Sequence, residues 1–141
     1  MLLALSDAKV DYLLVGAYAV AVHGHPRATG DMDIWVRADQ ATAAKVHRVI
    51  AEFGAPLHDL TVADLTRPDI VFQIGIEPCR IDILTGISGV TFEDAWPNRL
   101  TVDIDGVPMQ VLGRDDLILN KRTSGRPKDI ADAEALSRSD E

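Results

Sequence analysis

The sequence predicts an α+β domain built on a mixed central sheet of four to six strands, and three observations carry that expectation. An apolar run, 10–15, ends at Gly16 and turns at once into a helix-forming stretch. Two further β-rich runs, 71–76 and 80–84, are separated only by Glu77-Pro78-Cys79. Asp105-Gly106 divides a third pair, 100–104 and 107–112, and this dipeptide is a strong signal for a tight hairpin. A strand–helix–strand opening combined with antiparallel hairpins calls for a mixed sheet flanked by helices. The 141 residues suit one compact unit, 1–141.

Each element follows from local chemistry. Residues 2–8 read as a short helix. The run 10–15 reads as a buried strand, and 17–23 as a second short helix. Gly and Pro make 24–30 a loop. Residues 31–37 form the next strand. Asp39 is a helix N-cap, and Val46, Ile50 and Phe53 share one face of a helix that Gly54 and Pro56 stop. The stretch 57–68 is irregular with a short helical piece. One helical turn is expected at 92–96, and Trp35 and Trp96 are expected in or near the core. Two helices, 114–123 and 127–137, flank Ser124-Gly125-Arg126.

Composition narrows the function. Hydrophobic residues are 47% and charged residues 26%, which fits a globular chain rather than a disordered one. No apolar run reaches the roughly 20 residues of a membrane helix, and no basic-then-apolar leader is read at the start. The single cysteine, Cys79, forms no internal disulfide and reads as a small buried hydrophobe, so a cytoplasmic setting is expected. A net charge of −8 argues against a broad nucleic-acid-binding surface. It suits an enzyme whose anionic substrate arrives with a cation.

The acids carry the chemistry. In Asp31-Met32-Asp33-Ile34 the two carboxylates lie two residues apart on a strand, so they project from one face, roughly 7 Å apart along the backbone. Two acids so placed repel each other, and a divalent cation with hard oxygen ligands relieves the repulsion. Asp82, between Ile81 and Ile83, faces away from the core by the same alternation. If its strand neighbours 31–37, the three acids form one cluster, and two metals roughly 3.5 to 4 Å apart fit such a cluster. Asp103 and Asp105 form a similar pair, but the second lies in a hairpin turn and is read as solvated. His23 and His25 lack a third ligand at zinc spacing and are read as loop or packing residues.

The segment before the acids strengthens the pattern. Gly16 ends a strand and opens a helix, where free backbone N–H groups attract anions. The chain returns through Arg27 and Thr29. Arg27 is read as a phosphate contact or as a partner of Asp31, and Thr29 as a ligand or a turn residue. Lys121 beside Arg122 is read as a basic helix face, and Asp129 and Asp132 as partners of Lys128 or caps of their helix.

Leu14-Val15-Gly16-Ala17-Tyr18, followed by Arg27-Ala28-Thr29-Gly30-Asp31-Met32-Asp33, resembles the signature of the polymerase-β-like nucleotidyltransferase superfamily. The Arg-x-Thr-x-Asp-x-Asp form is most similar to bacterial minimal nucleotidyltransferases and AbiEii-like toxins. Asn120-Lys121-Arg122 and Gly125 to Asp132 extend the likeness to the C-terminal helices. The resemblance implies a nucleotidyltransferase fold. It implies Asp31, Asp33 and Asp82 as ligands of two Mg²⁺ ions, with Asp82 helping to deprotonate an acceptor hydroxyl. Gly16 and Ala17 would hold the phosphates of a nucleoside triphosphate, and Lys121, with Arg126 or Lys128, would steady phosphate or acceptor. Ala17 departs from the family's Gly or Ser and offers only its backbone N–H.

The implied reaction is transfer of a nucleoside monophosphate to a hydroxyl of a nucleic acid such as tRNA, a protein or a small molecule. The toxin likeness adds an antitoxin partner. A second copy or a partner chain could complete the acceptor site. The alternative reading is a non-catalytic binding or regulatory module of the same fold.

Overall fold

The computed structural model describes residues 1–25, 31–75 and 80–138. Six strands form one sheet, reached in chain order through α1 (Leu2–Asp7), β1 (Tyr12–Val15), α2 (Gly16–Val22), β2 (Met32–Val36), α3 (Gln40–Phe53), β3 (Val71–Ile74), β4 (Ile81–Leu84), α4 (Phe92–Ala95), β5 (Leu100–Ile104), β6 (Val107–Val111), α5 (Arg114–Ser124) and α6 (Pro127–Arg138). The spatial order is β3-β4-β2-β1-β6-β5. Parallel pairs β2/β4 and β1/β6 alternate with antiparallel pairs β3/β4, β1/β2 and β5/β6. The sheet is thus mixed, with six strands.

β1 lies in the middle, and all four of its residues are buried. A continuous Tyr-Leu-Leu-Val run is what a strand covered on both faces requires. Ile34 and Ile83 beside it, and Leu65, Leu112, Leu117 and Leu136 from the surrounding segments, complete the core. Trp35 joins them edge-on to Phe92, ring centroids 5.0 Å apart. Trp96 stacks on Phe92, ring centroids 5.6 Å apart, and is partly buried.

The local signals work as their chemistry requires. The Asp39 side chain accepts from Thr42 N at 2.7 Å and starts α3, and Gly54, in the left-handed conformation, ends it. Asp105 and Gly106 both have positive φ, 54° and 82°, and close the β5–β6 hairpin with Ile104 opposite Val107. The irregular stretch before β3 contains one 3₁₀ turn, Asp64–Thr66. Gly125 stops α5 with φ 74° and lets α6 fold back against it.

Several details differ from the sequence expectation, among them β2, which runs over Met32–Val36 rather than 31–37. Phe53 is half exposed, because the buried stripe of α3 runs through Ala43, Val46, Val49 and Ile50 and leaves the last residue outside it. β3 ends at Ile74 rather than at residue 76. Trp35 shows that both faces of β2 are covered beyond Asp33, so burial does not alternate along this strand. Among the described residues, no helix is long and apolar enough to cross a membrane.

Candidate active site

Pairing in the sheet brings the acids together. β2 and β4 run parallel with Asp33 directly opposite Asp82, and Met32 opposite Ile81. Neighbouring strands are about 4.8 Å apart, so carboxylates at matched positions crowd one another. Asp31 lies one residue before β2, and Met32 N donates to Arg80 O at 3.0 Å, closing the ladder at this end. Asp82 does not face water, as simple alternation suggested. It is only 7% exposed, with both carboxylate oxygens engaged by the Arg80 guanidinium.

The same pairing places the end of β1 here. Val15 is opposite Asp33 in the antiparallel β1–β2 pair, so Gly16 and the start of α2 come next to the acids. Gly16 has φ +66°, and a Cβ built on it would lie 2.3 Å from Asp33 Oδ2. Glycine serves here both for conformation and for space. Ala17 follows as the second residue of α2. His23 ends α2 and pairs through Nε2 with Leu112 O at 2.8 Å, a packing role as expected. Arg27 and Thr29 lie outside the described residues, as does Cys79.

Arg80 was not singled out in the sequence, yet its guanidinium organises the cluster. Its Nε donates to Asp82 Oδ1 at 2.9 Å and its Nη2 to Asp82 Oδ2 at 3.3 Å. The same Nη2 lies 3.2 Å from Asp31 Oδ2. The missed signal was the period of two: Arg80 and Asp82 share one strand face. Asp33 feels the crowding. Burial first, then the charges of Asp82 and Asp31, push its carboxyl up to about 6, while Arg80 and Lys121 pull the other way.

Lys121 is not on a solvated basic face. It is buried, with Nζ 3.1 Å from Asp129 Oδ1 and 3.3 Å from Asp132 Oδ2. Asp129 and Asp132 therefore bind Lys121 rather than Lys128, because the tight turn at Gly125 lays α6 along α5. Asp129 also accepts from Arg126 Nε at 2.6 Å and from Ser124 Oγ. Burial raises its carboxyl, but the bonds from Ser124, Arg126 and Lys121 outweigh that and hold it down at about 2. Arg126 and Lys128 are themselves exposed. Lys121 is thus fixed by two acids while its charge still reaches Asp33.

Comparison with known proteins agrees with this geometry. A family model described as a nucleotidyltransferase of unknown function (DUF6036) matches residues 1–139. No curated protein sequence matches the chain. Among solved structures, a protein of Thermotoga maritima assigned as a nucleotidyltransferase (TM1012) superposes with a TM-score of 0.59 at 17% identity, covering 97% of this chain and 86% of that one. The lincosamide antibiotic adenylyltransferase LnuA, with lincomycin bound, gives 0.58 at 16% identity, covering 94% and 89%. An antigenic nucleotidyltransferase-like protein of Paracoccidioides brasiliensis gives 0.55 at 14%, covering 96% and 71%. At these identities the structures establish the shared fold. With the family model spanning nearly every residue, the chain belongs to the DUF6036 family of nucleotidyltransferases.

Proposed function

We propose that this chain is a divalent-metal-dependent nucleotidyltransferase whose reaction centre is Asp31, Asp33 and Asp82. The observation that supports it most is the register of β2 on β4, which sets Asp33 beside Asp82 within one guanidinium's reach of Asp31. The donor set fits Mg²⁺: hard carboxylate oxygens whose mutual repulsion raises Asp33. As they stand around Arg80, no three such groups among the described residues are close enough to enclose an ion, so the side chains must converge to hold one. When bound, two Mg²⁺ ions supply neutralisation of the triphosphate and of the attacking and leaving oxygens.

The chain's own residues position the reaction. The backbone at Gly16 and Ala17 receives the phosphates, with Arg27 and Thr29 as further phosphate contacts and Lys121 adding positive charge from α5. An acceptor hydroxyl oxygen bonds to the α-phosphorus, and the bond from that phosphorus to the β-bridging oxygen breaks. Pyrophosphate leaves, and the hydroxyl proton passes to the Asp82 carboxylate. Rate then comes from alignment and electrostatics rather than from covalent catalysis.

The acceptor class is open to three readings: tRNA or another nucleic acid, a protein, or a small molecule such as the antibiotic that LnuA's name carries. The toxin-like motif adds an antitoxin partner, and a second copy of the chain could complete the acceptor side. A cytoplasmic setting and one domain over 1–141 complete the reading. Incubation of the protein with α-labelled nucleoside triphosphates and cell extract tests it. Label should pass to one class of acceptor and pyrophosphate should accumulate. No transfer from any of the four nucleotides, with folded protein and Mg²⁺ present, overturns the catalytic reading.

A further inference from the structure

We infer that Arg80 is the built-in counter-cation of the three-carboxylate centre, and that a divalent metal enters by displacing its guanidinium; this rests on the metal-centre reading above. One planar fork holds acids from two separate segments. It engages both oxygens of Asp82 and, through Nη2, Asp31 Oδ2 at 3.2 Å. These side chains are only 27%, 10% and 30% exposed for Arg80, Asp82 and Asp31, so bulk water screens them incompletely. Without a cation the three acids would repel one another. The guanidinium answers that need inside the chain, where its bidentate geometry matches a carboxylate better than an ammonium would.

The same contacts set the condition for metal binding. The oxygens that Arg80 occupies are the ones an ion would coordinate. A guanidinium left about 4 Å from a dication would cost several kcal/mol even at moderate dielectric. The Asp82 backbone is held on both sides by strand pairing, to Asp33 in β2 and Gln73 in β3, so its carboxylate stays at the centre. Arg80 lies just outside β4, and its guanidinium is carried on a long side chain with several rotatable bonds, so it can give up these oxygens while the strands stay paired. In the metal-free protein it keeps the acids gathered, and in the loaded protein it gives up that place.

The test uses Arg80→Gln and Arg80→Lys in the full chain, with Mn²⁺ as the probe in calorimetry and melting temperature read in EDTA and in Mn²⁺. Arg80→Gln should bind Mn²⁺ on the order of tenfold more tightly than wild type, because the ion no longer has to break the guanidinium's bonds to Asp82 and Asp31. It should melt lower in EDTA and gain more from Mn²⁺ than wild type does. Arg80→Lys should restore the weaker wild-type affinity. Equal or weaker Mn²⁺ binding by Arg80→Gln, with wild type binding Mn²⁺, overturns the displacement while leaving the metal centre standing. No Mn²⁺ binding by either protein overturns the metal centre itself. The nuclear magnetic resonance signal of the wild-type Arg80 Nε–H gives a readout independent of folding in the variants. It should shift on Mg²⁺ addition, and an unmoved signal in Mg²⁺-saturated protein overturns the inference.

Discussion

Gly16 and Asp33 are in direct contact: the position a Cβ would take on Gly16 is 2.3 Å from Asp33 Oδ2. The Asp33 carboxylate therefore keeps this place against the end of β1 because residue 16 has no side chain. Two costs follow from any substitution there. One is conformational, from φ +66°. The other falls on Asp33, the short flexible partner that must move away.

Gly16→Ala and Gly106→Ala separate these costs. Gly106 has φ +82° at the hairpin tip, and a Cβ there meets nothing within 4 Å. Each variant should lose about 1 kcal/mol from the left-handed conformation alone. Gly106→Ala should keep full nucleotidyl transfer. Gly16→Ala should lose transfer by far more than its stability loss accounts for, because Asp33 is displaced. Urea denaturation with parallel transfer assays checks the pair.

The Lys121 cluster gives a pH dependence with a defined sign. The Asp129 carboxyl lies at about 2 in the folded chain, below its unfolded value of 3.8. A depressed acid stabilises the fold above the unfolded value and loses that contribution as pH falls through the folded one. Stability should therefore drop between about pH 4 and pH 2, by about 2 kcal/mol from this group. Asp129→Asn should show a shallower acid limb in thermal melts. At pH 7 it should cost about 3 kcal/mol, because Lys121 keeps its buried charge with one partner fewer.

Asp82→Asn separates binding from turnover. Asn keeps the size of the side chain and one acceptor oxygen for Arg80, but it cannot take the acceptor's proton. Transfer should fall by on the order of a hundredfold or more, with nucleotide affinity changed much less. Full turnover in Asp82→Asn, measured by pyrophosphate release, would show that this acid has another role.

Much of this arrangement was legible in the residues and some was not. The hairpin at Asp105-Gly106, the cap at Asp39 and the buried run of β1 depend on contacts a few residues apart, and local chemistry suffices for them. The third acid could be named from Ile81-Asp82-Ile83, but its neighbour could not. The β2–β4 pairing joins residues about fifty positions apart, and no local pattern encodes which parallel strands meet. Arg80 had a visible signal in its two-residue spacing from Asp82, although its reach to Asp31 depends on that same pairing. Lys121 looked like a surface cation because Arg122 beside it is one. Its burial depends on how the turn at Gly125 sets α6 against α5, a tertiary outcome that helical periodicity does not contain.

Calorimetric titration of Mg²⁺ and ATP into wild type, Asp31→Asn and Asp33→Asn bears most directly on the metal centre. Wild type should bind the nucleotide only with Mg²⁺ present, and each variant should lose that metal-dependent heat while still folding. Nucleotide binding of equal strength in EDTA, or unchanged Mg²⁺ binding in both variants, would contradict it.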